Sequence, residues 1–225
     1  MVLAELPRRD ASAREHLDNL GKHVRPFVSA RDRVVPLAGK LSELVPGGAL
    51  VRGSVLGVEG GTGAGSTTLA FGLAAAVTAL GEWVAAVDAD GTLGALAAQE
   101  AGVALAQFAV ARRVPPTRWA TVVAALIDGV SLVIADVPRS MSGGMSGGVS
   151  LGDARRLVAR ARERETVLVV RGAWPAEVAF TVYADASAWV ELSETAMLTE
   201  RRMQVRVEGR GAASRARTGQ LARAV

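Results

Sequence analysis

The chain has 225 residues, of which 50% are hydrophobic, and a formal net charge of +4. This length suits one domain with a sizeable core. Cysteine is absent, which excludes disulfides, thiolate metal sites and cysteine nucleophiles. No export signal or run of ~20 apolar residues is visible, so we expect a cytoplasmic protein without membrane contact.

The first 35 residues are charged and predict an N-terminal helical segment, with the best helix at 11–24. His16 and His23 fall on that helix, and we interpret them as solvated because no third metal ligand is in view. We assign residues 1–44 to this segment and its linker. The core domain is then expected at 45–210, and a basic flexible tail at 211–225.

Short apolar strands alternate with helices along the core. The pattern predicts strands at 51–58, 83–87, 105–110, 131–135, 166–170, 187–192 and 203–207, the last antiparallel, and helices at 66–80, 92–101, 116–128 and 151–164. Such alternation indicates an α/β fold with a mostly parallel sheet covered by helices on both faces. Two Met-Ser-Gly-Gly repeats at 141–148 predict a mobile loop.

The most informative motif is a glycine-rich loop between the first core strand and the helix at 66–80. The pattern G-x-x-x-x-G-K-[ST] fits at Gly60, Gly65 and Thr67, but Ser66 stands where the lysine is required. In such loops backbone N–H groups hold phosphates, the lysine adds positive charge, and the next hydroxyl binds Mg²⁺. The residues therefore predict the frame of a nucleotide site without its main charge.

Acidic residues end two later strands, at Asp88-Ala-Asp90 and at Asp136. Together with the glycine loop, this order of parts resembles the ATPase core of the RecA family over residues 45–208. The resemblance implies a degenerate nucleotide site formed by Gly60, Gly65, Ser66, Thr67, Thr68, Asp90 and Asp136. In it Thr67 would be the Mg²⁺ hydroxyl and Asp136 the acid of the metal-side strand. Asp90 would replace a glutamate that orients the attacking water.

Without the lysine, useful ATP turnover is not expected. A hydrogen bond to a charged group contributes about 1.5–3 kcal/mol, or roughly 10- to 150-fold in affinity. Loss of one preorganised group at the developing charge costs about 10²–10³ in rate. We therefore expect no catalytic residues, no bound metal and no required cofactor, although weak binding of ATP–Mg²⁺ remains compatible with the loop.

A shortened RecA-like chain with a damaged loop also resembles a narrower group, the ImuA-prime proteins of the actinobacterial mutasome. The segments that carry this resemblance are 44–54, 119–129 and the arginine-rich end. The resemblance implies a non-catalytic accessory protein of DNA-damage tolerance, acting in SOS-induced translesion synthesis and mutagenesis. Its partner would be an ImuB-type Y-family polymerase homologue, and through it an error-prone replicative-type polymerase and a sliding clamp.

Arginines are the candidate contacts to such a partner or, secondarily, to DNA. They are Arg139 in the glycine-repeat loop, Arg156, Arg160 and Arg164 along one helix face, and Arg201, Arg202, Arg206 and Arg210 near the end. A solvated face is the simpler interpretation of the helical stripe, and a contact surface is the alternative.

Two other functions remain open. An active ATP-dependent RecA-type ATPase would bind single-stranded DNA with the glycine-repeat loop and the basic end. Trp174, in a shortened loop at 171–177, would be its stacking platform, although core packing explains this residue equally well. A ParA/MinD-type switch ATPase fits less well, because its loop K-G-G-x-G-K-[ST], laid on residues 59–65, lacks both lysines and the hydroxyl.

Overall fold

The computed structural model describes residues 33–138, 149–191, 198–210 and 215–224. Contacts divide the chain into Met1–Arg33 and Val34–Val225, and the second unit contains all the elements described below. The predicted helix at 11–24, the glycine-repeat loop at 141–148 and the candidate Arg139 lie outside the described residues.

The described residues form ten strands and five α-helices. In chain order they are β1 Val34–Pro36, α1 Gly39–Leu44, β2 Ala49–Val51, β3 Val55–Gly60, α2 Ser66–Thr78, β4 Val84–Asp88, α3 Ala95–Glu100, β5 Phe108–Arg112, α4 Pro116–Ile127, β6 Leu132–Asp136, α5 Leu151–Arg164, β7 Val167–Arg171, β8 Phe180–Glu191, β9 Leu198–Gly209 and β10 Arg217–Ala224. Short 3₁₀ turns at Pro46–Gly48 and Leu105–Gln107 precede β2 and β5.

Eight strands form one sheet in the order β10-β9-β8-β3-β7-β6-β4-β5. The six strands from β8 to β5 are parallel, and β9 and β10 add antiparallel pairs at one edge. The prediction of a mixed α/β fold with a mostly parallel sheet is confirmed. Because the strands are parallel, β3, β6 and β7 end at the same edge of the sheet, where ligands bind in open α/β folds.

The strands of the sheet contribute to two hydrophobic clusters. In β6, Leu132 and Ile134 belong to the first cluster, which α1 and α2 join, while Val133 and Ala135 belong to the second, which α4 and α5 join. This alternation is the period-2 geometry of a strand buried on both faces. Helices thus lie on both faces of the sheet. On the second face, however, α4 and α5 make their main sheet contacts with β4, β6 and β7 alone, so they cover only part of the sheet.

The end of the chain differs from the predicted flexible tail. Residues 217–224 form β10, which pairs with β9 along its whole length. Gly219 packs so closely on α1 that an added Cβ would lie 2.9 Å from Leu44 Cδ2. The strand contains few β-branched or aromatic residues, so pairing and packing, rather than local propensity, stabilise it.

Other boundaries also shift. A turn at 52–54 splits the predicted strand at 51–58 into β2 and β3, and β8 begins at Phe180 rather than at 187. Residues 34–44, assigned from sequence to the N-terminal segment, form β1 and α1, and Val35 and Leu44 join the first cluster. The longest described helix, α5, has 14 residues, and none within the described ranges has the length and apolarity to cross a bilayer.

Candidate functional site

The glycine-rich loop occupies residues 61–65 between the end of β3 and the start of α2. The amide of Ala64 donates to the carbonyl of Gly61 at 3.0 Å, which closes a turn. Gly65 precedes the helix with φ of 110°, and an added Cβ would lie 2.2 Å from the sulfur of Met203. Because the first amides of a helix have no partner within it, such a loop offers N–H donors and a positive helix end to an anion.

A cavity of about 890 Å³ opens over this loop. It brings together all seven residues that the sequence assigns to the degenerate nucleotide site, namely Gly60, Gly65, Ser66, Thr67, Thr68, Asp90 and Asp136. The volume falls within the range of pockets that hold small molecules. The same cavity is also lined by two arginines, Arg171 and Arg201, which the sequence does not assign to it.

Arg171 is the last residue of β7, between β3 and β6 in the sheet. The strand register places it opposite Asp136 of β6 and Val58 of β3. Its Nη2 donates to Thr67 Oγ1 at 2.9 Å. Its Nη1 donates to Asp136 Oδ2 at 3.2 Å and lies 2.9 Å from Oδ1, so one guanidinium bridges the hydroxyl and the carboxylate.

This bridge decides whether the residues fit a magnesium ion. In a working phosphate loop the hydroxyl and the strand-end acid are the protein groups that hold Mg²⁺. Here the oxygens of Thr67 and Asp136 are both held by Arg171, whose side chain is only 15% exposed. A divalent cation between them would meet a buried positive charge. The arrangement therefore does not fit Mg²⁺.

Asp136 is held at the end of β6 by both its backbone and its surroundings. Its carbonyl accepts a hydrogen bond of 2.7 Å from Nε1 of the fully buried Trp119. Burial raises the pKa of its carboxyl to about 6; Arg171 acts in the opposite direction, and the nearby acids Asp88 and Asp90 add to the increase. The carboxyl is thus poised to gain a proton in mildly acidic solution.

Arg201 of β9 holds the loop from the opposite side. Its Nη2 donates to the carbonyl of Gly63 and, at 3.0 Å, to Ser187 Oγ. The hydroxyl of Ser187 also donates to the carbonyl of Gly63, at 2.8 Å. The guanidinium lies 5.7 Å from the centre of the Trp189 ring. Arg201, a sequence candidate for partner or DNA contact, also borders the cavity.

The other candidate arginines in the described residues all have acidic partners within the chain. The ion pairs are Arg156 with Asp153, Arg160 and Arg164 with Asp128, Arg202 with Glu200, Arg206 with Asp185 and Glu208, and Arg210 with Glu177. The double pair to Asp128 joins α5 to the end of α4. In these pairs the positive charge of each arginine is partly offset by an acid, so the candidate arginines present less unpaired positive charge to nucleic acid.

Sequence reasoning missed Arg171 as a site residue and placed it only at the start of the shortened loop. A usable signal exists, because Arg171 directly follows four apolar strand residues and so lies at the carboxyl edge of the sheet. What the sequence does not give is that β7 lies beside β3. Trp174, in the same loop, packs against the second hydrophobic cluster, in agreement with the core-packing interpretation.

Fold and site together define a mixed α/β protein with a strand–glycine loop–helix unit at the edge of a mostly parallel sheet. The chain belongs to the family described as the MT3502 N-terminal domain, which matches residues 43–176. The match includes the glycine loop, Asp136 and Arg171, and ends before β8 and Arg201. A search of curated proteins finds no match to the chain.

Proposed function

We propose that this chain is a non-catalytic accessory protein with a RecA-like core, in which the degenerate phosphate loop does not drive ATP turnover. It would act in DNA-damage tolerance by docking to an ImuB-type Y-family polymerase homologue. The observation that carries the non-catalytic part is the Arg171 bridge between Thr67 and Asp136. The docking part comes from the sequence resemblance.

The bridge adds a second defect to the missing lysine. Phosphoryl transfer depends on positioning and on charge stabilisation by the loop lysine and Mg²⁺. Ser66 removes the first cation, and Arg171 occupies the two protein oxygens that would hold the second. Each loss alone costs orders of magnitude in rate. Together the two losses favour a non-catalytic binding protein over an active ATPase.

Among the candidate contact residues, Arg156 has the most exposed side chain of the helical stripe, at 79%, and its acidic partner is one turn away on the same helix. Arg160 and Arg164 instead link two helices through Asp128. A partner could therefore engage Arg156 without opening the α4–α5 contact. An acidic segment would suit it, and such rim charges mainly affect the association rate.

Phosphate release and partner binding, measured in one buffer, test this function. We expect tight binding to the carboxyl-terminal region of the ImuB-type protein and no hydrolysis above background. Ser66→Lys alone should not restore turnover, because Arg171 still holds Thr67 and Asp136. Ser66→Lys combined with Arg171→Gln removes both defects and is the variant in which activity should first be detectable.

The opposite results would favour the ATPase alternative. Steady phosphate release by the wild-type protein, abolished by Asp136→Asn, would overturn the scaffold proposal. Single-stranded DNA binding that ATP strengthens, with no measurable affinity for the ImuB-type region, would replace it with a nucleotide-dependent DNA-binding function. Arg155→Gln serves as a matched control, because it removes an exposed arginine of α5 that is not among the candidate contacts.

A further inference from the structure

We propose that the cavity over the glycine loop takes a phosphorylated small molecule of nucleotide size without Mg²⁺, with the guanidinium of Arg171 in the place of the metal ion. This inference goes beyond the adaptor function and does not depend on the identity of any protein partner. It follows from where Arg171 lies and from what its nitrogens contact.

The position of Arg171 is fixed by the sheet. The residue pairs with both neighbouring strands, and its carbonyl accepts a hydrogen bond of 2.8 Å from Val137. Its side chain reaches from the edge of β7 to the first turn of α2, where it meets Thr67. A guanidinium presents five donors in a planar fork, so Arg171 can keep its two oxygen partners and still donate elsewhere.

Two donors of the arginines beside the cavity have no partner. The Nε atoms of Arg171 and Arg201 are both buried and have no hydrogen-bond partner among the described residues. Each belongs to a side chain that borders the cavity, on opposite sides of the loop. Buried donors without partners are uncommon in proteins, and a small movement of either side chain would turn its Nε toward an incoming phosphate oxygen.

The contacts of Arg171, rather than the net charge of the cavity, argue for a ligand without a metal ion. Four acids border the cavity, Glu59, Asp90, Asp136 and Asp185; Asp136 pairs with Arg171 and Asp185 with Arg206. A ligand that carries its own Mg²⁺ would bring a dication next to Arg171, whereas a bare phosphate would not.

Calorimetric titration with ATP, once with EDTA and once with excess Mg²⁺, tests the proposal directly. We expect binding in EDTA to be at least about threefold tighter than in Mg²⁺, the reverse of a conventional phosphate loop. Tenfold or greater strengthening by Mg²⁺ would overturn the proposal. Failure of ATP to bind in EDTA at millimolar concentration would overturn it as well.

The Arg171→Gln variant should reverse the metal dependence. Removing the charge-assisted bonds should weaken ATP binding in EDTA about 10- to 150-fold. Because Thr67 and Asp136 are then released, Mg²⁺ should strengthen what binding remains. An Arg171→Gln protein that folds, by circular dichroism, and binds ATP in EDTA as well as wild type would contradict the inference.

Two further variants keep the test decisive if Arg171→Gln does not fold. Arg201→Gln removes the second guanidinium but leaves the bridge, so it should weaken ATP binding about tenfold without making it depend on Mg²⁺. Arg155→Gln removes an exposed arginine of α5 that is not among the candidate contacts and should leave both titrations unchanged. Equal losses in these two variants would indicate a general charge effect and refute the assigned site.

Discussion

Asp136 is buried at the end of β6, and burial raises its pKa to about 6 although Arg171 opposes the change. Replacing Arg171 by glutamine should therefore raise this pKa further, since the opposing charge is removed. Asp90→Asn should lower it, because Asp90 contributes to the increase. Carbon-13 NMR titration of the carboxyl group would measure both effects. A change of the same sign in both variants would contradict this account.

The same carboxyl makes folding stability depend on pH. Its pKa is raised in the folded state from 3.8 to about 6, so the fold favours the protonated form. The contribution of the protonated carboxyl to the free energy of unfolding is fully present below about pH 4 and is lost as pH rises through 6. Its full size is about 3 kcal/mol at most. Asp136→Asn should flatten the denaturation free energy across this interval. A wild-type stability that rises from pH 4 to pH 6 by this amount would be inconsistent with the assignment.

Gly65 is required by both its backbone and its neighbour. It adopts φ of 110°, and an added Cβ would lie 2.2 Å from the Met203 sulfur, which is itself part of the first cluster. Gly65→Ala should lower the free energy of unfolding by at least about 2 kcal/mol, from backbone strain and a forced shift of Met203. Gly61→Ala is the matched control, since open space surrounds that position. Equal stabilities of the two variants in urea would disprove the role of Gly65.

Individual site residues were predictable to the extent that they form a local motif. Gly60, Gly65 and Thr67 are adjacent in sequence and have a characteristic spacing, so the loop could be found without a structure. Arg171 is more than a hundred positions from Thr67, and only the order of strands in the sheet brings the two together. The contact between Arg171 and Thr67 therefore could not be derived from spacing.

Among the elements, β10 provides the sharpest test of the structure. Replacing residues 215–225 by a glycine–serine segment of equal length should lower the free energy of unfolding by at least about 2 kcal/mol. The replacement removes side chains that pack on α1 and weakens the pairing with β9. Urea denaturation followed by circular dichroism measures this change. A flexible tail, as the sequence predicts, would leave the midpoint unaltered.

Elements with strong local signals were predicted well and those that depend on neighbours were not. The amphipathic pattern of α5 gives Leu151–Arg164 from sequence, with the bounds found in the structure. The apolar cores of β6 and β7 are likewise within one residue of their predicted ends. By contrast β10 has neither an apolar run nor a clear alternation, since its partner strand and α1 supply the stabilising contacts.

For the whole molecule, the distribution of ion pairs matters more than the net charge of +4. The described candidate arginines outside the cavity have acidic partners, so these residues should release few counterions from nucleic acid. We expect weak binding of single-stranded DNA, with a slope of log affinity against log salt no steeper than about −1. Fluorescence anisotropy at several salt concentrations measures that slope. A slope of about −4 or steeper would show that DNA is a primary ligand, bound by these or by other arginines.

The hydrogen bond from Trp119 to the carbonyl of Asp136 also gives the protein an internal optical probe. An indole ring with no solvent exposure, joined to the floor of the cavity, differs in polarity and in access from the half-exposed rings of Trp83 and Trp189. Aqueous quenchers will reduce the fluorescence of Trp83 and Trp189 first. The remaining emission then comes from Trp119 and from Trp174, which packs against the second cluster. In a Trp174→Phe variant it reports on the strand end that carries the acid, so movement there can be followed without attaching a dye.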